Sequence, residues 1–110
     1  MERQKNHMKT TKEIVAEANE KATAAAEFAV TAHPESNGSE AWQSVVVMVD
    51  GRSKVAKELL AEGFRKESYY GILMPYSSFS NYYAEEAYTT VFAGILNQNG
   101  ISARRVERLL

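Results

Sequence analysis

The sequence contains no cysteine, so disulfide bonds and thiolate ligands for a metal ion are both excluded. Histidine occurs only as His7 and His33, and aspartate only as Asp50. Hydrolytic and metal sites need several such side chains, or an activated nucleophile, close together. We therefore predict no catalytic residue, no metal site and no cofactor.

Long apolar runs are also missing. The longest, 45–49, is far shorter than the roughly 20 residues of a membrane span. Residues 1–12 carry four basic side chains, but no apolar segment typical of a secretory signal follows them. The net charge of −1 gives no general attraction to nucleic acid or anionic lipid. These features favour a cytoplasmic protein that does not act at a membrane.

The length and composition are typical of one small globular domain. The chain has 110 residues, of which 45% are hydrophobic and 25% are charged. Residues 1–9 are polar and predict a flexible arm, whereas 10–110 predict a single domain. Its core should be thin, because the first long apolar stripe consists mostly of alanine.

Four stretches carry a helical pattern, with apolar residues spaced three and four apart. Thr10 or Thr11 can cap the first, Ser80 the third and Ser102 the fourth, and the first three end at proline or glycine. Pro34 stops the first, Gly63 the second, and Asn99-Gly100 the third. The predicted helices are 11–32, about 52–62, 81–97 and 103–110.

Residues 40–49 fit both a helix and a strand. Trp42, Val45, Val46 and Val49 fall on a helical stripe, yet the β-branched run 45–49 before a turn is typical of a strand. We favour the helix, and so predict a mainly α fold, a small helical domain of four to five helices. The alternative is α+β, with a minimal two-stranded sheet from 43–49 and 69–74 that helices would have to cover.

Aromatic residues are concentrated in one part of the chain, since all six tyrosines lie between Tyr69 and Tyr88. Tyrosine is favoured at the centres of interfaces. On the helix predicted for 81–97, angular position places Tyr82 with Glu86, Thr89 and Ala93 on the face away from the core. Alternatively, these rings only fill the core. The predicted protein-binding residues are Trp42, Tyr76, Phe79, Tyr82 and Tyr83.

The C-terminal segment resembles the centre of helix-turn-helix DNA-binding proteins, since Gly100-Ile101-Ser102 is followed by Val106. The resemblance covers about 20 residues and implies that a second helix reads duplex DNA. It departs from the motif at Leu96, where a small residue is preferred, and the chain stops after the supposed recognition helix. An ordinary capped helix packed on the core is the alternative. The residues implied to contact DNA are Arg104, Arg105 and Arg108.

These observations lead to a hypothesis of binding without catalysis. We expect a small interaction protein that regulates or inhibits another protein or protein complex, as accessory proteins of phages and mobile elements commonly do. The alternative is a helix-turn-helix-like DNA-binding regulator that uses the C-terminal basic helix. We also expect self-association, because an alanine seam and a thin core favour pairing with a second copy.

Overall fold

The chain folds into an α+β domain. The computed structural model describes residues 9–36, 41–67, 71–75 and 79–109. Within them lie three helices and four strands, so the prediction of a mainly α domain with four to five helices is wrong. In chain order the elements are α1 (Thr11–Ala32), β1 (Ala41–Val47), α2 (Lys54–Ala61), β2 (Arg65–Glu67), β3 (Gly71–Leu73), α3 (Tyr82–Gln98) and β4 (Ala103–Leu109).

The four strands form one sheet in the order β2-β3-β1-β4, and every neighbouring pair is antiparallel. From β1 onward the elements follow the order β-α-β-β-α-β. Together with the strand order, this is the arrangement of the split βαβ, or ferredoxin-like, motif. The helix α1 precedes that motif. The arrangement identifies an architecture but not a function.

Three predicted helices are confirmed as α1, α2 and α3, and their ends show why. Thr10 and Glu13 form a reciprocal capping box at the start of α1. Ser53 caps α2, and Asn81, rather than the expected Ser80, caps α3. Gly63 follows α2 with a positive φ of 98°, a conformation that glycine adopts easily. No described helix is both long enough and apolar enough to cross a lipid bilayer.

The helix favoured for residues 40–49 is wrong, because Ala41–Val47 is the strand β1. Its β-branched valines suit a pleated, half-buried surface better than a helix. The segments of the α+β alternative, 43–49 and 69–74, overlap β1 and β3, which pair with Val46 opposite Leu73. The sheet nevertheless has four strands where that alternative expected two.

The helix predicted for 103–110 is also wrong, because Ala103–Leu109 is the strand β4. It pairs with β1 along its whole length, from Ala103 opposite Val47 to Leu109 opposite Ala41. Helix propensity is a weak preference of less than about 1 kcal/mol per residue, and tertiary pairing overrides it here. The second helix of the helix-turn-helix interpretation therefore does not exist.

All three helices cover the same face of the sheet. The strand residues Val45, Val47, Ile72 and Ala103 share a buried cluster with residues from each helix. α3 contacts β1 and β4, and α1 packs along α3. Alanines of α1 that are fully buried, such as Ala22, let the two helices approach closely.

The opposite face of the sheet, called here the outer sheet face, has a small apolar cluster of its own. Val46, Leu73 and Val106 are buried there, and Trp42 packs against them. No residue of the described helices belongs to this cluster. Side chains that alternate along β1 and β4 therefore point either to the helices or to the outer sheet face.

β4 is an edge strand. The amide of Met48 donates to the carbonyl of Ser102 at 2.8 Å, which aligns the even-numbered residues of β4 for hydrogen bonding with β1. The backbone groups of Ala103, Arg105 and Glu107 consequently face away from β1. At Ala103 they are paired with the side chain of Asn97, which donates to the carbonyl at 2.8 Å and accepts from the amide at 3.0 Å.

Candidate interaction surfaces

The residues predicted to bind a protein do not form one patch. Trp42 lies on the outer sheet face, whereas Tyr83 is exposed on the helix side. Phe79 is half-buried and packs against Tyr88, with ring centroids 5.3 Å apart. Tyr76 lies outside the described residues.

Tyr82 belongs to a polar network between α3 and β4. Its hydroxyl donates to the carboxylate of Glu107 at 2.9 Å, and its backbone carbonyl accepts from Gln43. The expected position of Tyr82 beside Thr89 and Ala93 on a solvent face of α3 is wrong, since those two residues are buried. This side of the helix faces the sheet, which the prediction of a helical bundle could not anticipate.

Arg105 holds this network together. Its Nε donates to the hydroxyl of Thr89 at 2.9 Å, and its guanidinium contacts Gln43 and the carboxylate of Glu107. Arg105 and then Tyr82 lower the pKa of Glu107, because both donate hydrogen bonds to the ionised carboxylate. The same carboxylate raises the pKa of the Tyr82 hydroxyl. These contacts tie α3 to β4.

The three arginines implied to contact DNA are therefore divided between two faces. Arg104 and Arg108 are exposed on the outer sheet face, because they alternate with the inward-facing Arg105 along β4. The guanidinium carbon of Arg108 lies 5.6 Å from the centroid of the Trp42 ring, in a cation–π arrangement. A strand now presents these side chains, so the geometry of a recognition helix is lost.

On the helix side, an apolar groove runs between the C-terminal half of α1 and the N-terminal half of α3. The helices are antiparallel there, since Asn81 at the start of α3 donates to the carbonyl of His33 after α1. The groove has a volume of about 450 Å³. Its lining includes Phe28, Ala32, His33, Tyr83, Ala87 and Val91.

Two exposed aromatic side chains line this groove. Phe28 is 77% exposed and Tyr83 is 42% exposed. The ring of Tyr83 stacks on the imidazole of His33, with centroids 3.9 Å apart and planes 22° apart. Single exposed apolar residues are common, but neighbouring ones that line the same concave surface are typical of an interaction site. We call this surface the α1–α3 groove.

Sequence reasoning missed Phe28 altogether. It lies on α1 outside the stripe of buried alanines, two positions after Ala26, and a helix turns by about 200° over two residues. A large aromatic residue off the buried stripe was the signal that could have identified it. Tyr83 was identified, although with residues from other surfaces.

The surroundings of the α1–α3 groove are acidic. Residues 22–36 and 81–98 contain no lysine or arginine, and their only charged side chains are glutamates. Glu86 lines the groove directly, and Glu27 is exposed beside Phe28 on α1. The groove therefore combines an apolar floor with a glutamate at its rim, and no cation lies in either flanking stretch.

The described residues contain no group of three or more histidine, aspartate or glutamate side chains arranged to hold a metal ion. No protein family, curated protein or solved structure matches this chain. The function is therefore inferred from the two surfaces themselves.

Proposed function

We propose that this protein is a non-enzymatic interaction module whose α1–α3 groove binds an amphipathic helix of a protein partner, with basic residues beside its apolar face. The partner's activity would be regulated or blocked by this contact. The observation that supports the proposal is the exposure of Phe28 and Tyr83 at one apolar groove with a glutamate rim.

The exposed rings provide the driving force for binding. Removing a phenylalanine side chain from water stabilises a complex by about 1.5–3 kcal/mol. Phe28 gains little of this in the isolated chain, because it is 77% exposed. A partner that covers Phe28 and Tyr83 would bury both rings, and this burial would stabilise the complex. Aromatic side chains of this kind commonly dominate the energy of an interface.

The shape of the surface favours a helix as the bound element. Two antiparallel helices present a linear groove, and an amphipathic helix binds in such a groove through apolar residues spaced three and four apart. The small side chains Ala32 and Ala87 leave room between Phe28 and Tyr83 for these anchors. An extended strand would gain no backbone pairing here, since the hydrogen-bonding groups of both helices are used internally.

The charge around the groove favours a basic partner. Glu86 would face the flank of the bound helix, and neither α3 nor the second half of α1 offers a compensating cation. Complementary charge accelerates association and rejects acidic competitors more than it raises affinity. Selectivity between basic and acidic helices is therefore expected to depend on the salt concentration.

The proposal is tested by site-specific photo-crosslinking in cells of the native host. A photoreactive phenylalanine analogue is placed at Phe28 or, as a matched control, at Val30, which is 37% exposed on the other side of α1. We expect one protein to be captured from position 28 and not from position 30. The crosslinked segment should be an amphipathic helix with basic residues, and the adduct should be lost in Tyr83→Ala.

Three outcomes would contradict the proposal. Equal capture from positions 28 and 30 would show that the groove is not the contact. An acidic crosslinked segment would contradict the role of Glu86. Crosslinking to a second copy of this chain would show that the groove mediates self-association and not the binding of a different protein.

A further inference from the structure

A separate binding surface lies on the outer sheet face. Trp42 is half-buried there and packs on the cluster of Val46, Leu73 and Val106. Arg108 lies over its ring, and Arg104 is exposed on the same face four residues earlier in β4. An indole and two arginines therefore share a surface that no described helix covers.

This surface is positively charged, although the whole chain is not. Arg65 and Glu67 on β2 share the face, because Arg65 is opposite Leu73 in the register and Glu67 is two residues further on. Among the described strand residues, three arginines and one glutamate give this face a net charge of +2. The net charge of the chain is −1, so the acidic side chains are concentrated elsewhere, including the rim of the α1–α3 groove.

The arginines are spaced for contacts with separate anionic groups. Arg104 and Arg108 are four residues apart on one strand, which corresponds to about 13 Å. Arg65 extends the row across the sheet, since it lies opposite Leu73, Leu73 opposite Val46, and Val46 opposite Arg104. Arg65 is paired with Glu67 at 2.8 Å, whereas no described ion pair involves Arg104 or Arg108.

We infer that the outer sheet face binds single-stranded nucleic acid, with a base stacked on Trp42 and phosphates held by Arg104 and Arg108. The position of Arg108 over the indole shows that a planar cationic group fits against this ring. A nucleobase in the same place would leave the guanidinium to contact the adjoining phosphate. Stacking on aromatic side chains beside a basic surface is the usual way in which single strands are bound.

The geometry disfavours duplex DNA. The outer strands of a four-stranded sheet are about 14 Å apart, so this face is too broad to enter a major groove about 12 Å wide. Bases in a duplex are stacked on one another and cannot reach Trp42. An unpaired strand exposes both its bases and its phosphates to a flat surface.

The experiment uses the full chain and an oligothymidylate of about 15 nucleotides, within the site sizes known for single-strand binding. Trp42 is the only tryptophan, so its fluorescence reports on this face alone. We expect the single strand to quench Trp42 saturably. Its affinity should fall as the salt concentration rises from about 50 to 200 mM. A duplex of the same length should bind more weakly.

Two variants separate the contributions. Arg104→Ala with Arg108→Ala should reduce affinity at least about tenfold and lower the slope of log K against log salt by about 1.4, or about 0.7 per lost phosphate contact. Trp42→Leu keeps an apolar side chain on the cluster and should weaken binding of a labelled strand by roughly 5- to 100-fold. The matched control, Lys54→Ala with Lys57→Ala, removes two exposed cations from α2 and should leave affinity unchanged.

The inference is overturned if the single strand produces no saturable quenching, or if the duplex binds more tightly. It is also overturned if polyglutamate of similar length quenches Trp42 equally, because the face would then select acidic protein segments. If the β4 and α2 variants lose the same amount of affinity for the single strand, the attraction is non-specific, and this result would also overturn the inference. Since the α1–α3 groove is on the other side of the molecule, none of these results decides the proposed protein partner.

Discussion

The side-chain amide of Asn97 pairs with the backbone of Ala103 as a neighbouring strand would. Its Nδ2 donates to the Ala103 carbonyl at 2.8 Å, and its Oδ1 accepts from the Ala103 amide at 3.0 Å. The end of α3 thus occupies the first outward-facing position on the edge of β4. Uncovered strand edges are sites of unwanted pairing between molecules, so this contact has a protective as well as a stabilising effect.

Asn97→Ala is expected to lower the free energy of unfolding by about 1–2 kcal/mol, because it removes these two hydrogen bonds and a third that Nδ2 donates to the Ala93 carbonyl within α3. It should also increase association at high protein concentration, since the edge of β4 lengthens by one pairing position. Urea denaturation and light scattering measure the two effects. Asn99→Ala is the control, because the side chain of Asn99, the residue after α3, donates to the carbonyl of Ile95 in that helix and not to a strand. Equal changes in both variants would refute the edge role.

Close packing of α1 on α3 depends on alanine. Ala22→Leu should destabilise the fold by about 1–3 kcal/mol, because Ala22 is fully buried and a larger side chain would force α1 away from α3. Ala24 is exposed on the same helix, so Ala24→Leu should have little effect. Chemical denaturation of both variants makes the comparison. A tolerated leucine at position 22 would mean that the helices do not pack through this seam.

Stability should depend on the ionisation of Glu107. Its pKa is held below the ordinary value of 4.5 by Arg105 and Tyr82, so the folded state favours the carboxylate. The resulting stabilisation is complete above pH 4.5 and is lost as the pH falls through the lowered pKa. Glu107→Gln should therefore unfold at a lower temperature than the wild type near neutral pH, and this difference should shrink in acid.

The control for this pH dependence is Glu20→Gln, at an exposed position on α1. Thermal melts of the three proteins across the acid range provide the measurement. A difference between the wild type and Glu107→Gln that stays constant with pH would show that the carboxylate's charge is not what stabilises the α3–β4 contact.

Phe28 should contribute little to the stability of the isolated chain. Because it is 77% exposed, Phe28→Ala is expected to change the free energy of unfolding by less than about 0.5 kcal/mol. Phe92→Ala, at a fully enclosed core position, should cost about 3–5 kcal/mol. A large loss of stability in Phe28→Ala would place that ring in the core and remove it as a binding residue.

The three helices were predictable because each has a local signature. Apolar residues recur at helical spacing, and Pro34, Gly63 and Gly100 mark the ends. The strand β4 had no such signature, since Arg104 and Arg105 are adjacent and the segment shows no regular alternation of polar and apolar residues. Its conformation depends on pairing with β1, which is distant in sequence.

The binding surfaces were only partly predictable for the same reason. Trp42 and Tyr83 were both identified from residue type, but the sheet separates them onto opposite sides of the domain. Arg104 and Arg108 were identified from charge. Because the segment is a strand, they lie on the same face of the sheet as Trp42, whereas Arg105 points toward α3. Pairing over long sequence distances determined which of these side chains became neighbours.

The α1–α3 groove and the outer sheet face are expected to bind their partners independently, and measuring both activities in the same two variants decides this. Crosslinking at position 28 and quenching of Trp42 by the single strand are each measured in Tyr83→Ala and in Arg104→Ala with Arg108→Ala. We expect the first variant to lose only the protein adduct. We expect the second to lose only affinity for the single strand, by at least about tenfold. Loss of both activities in both variants, or of neither in either, would contradict it.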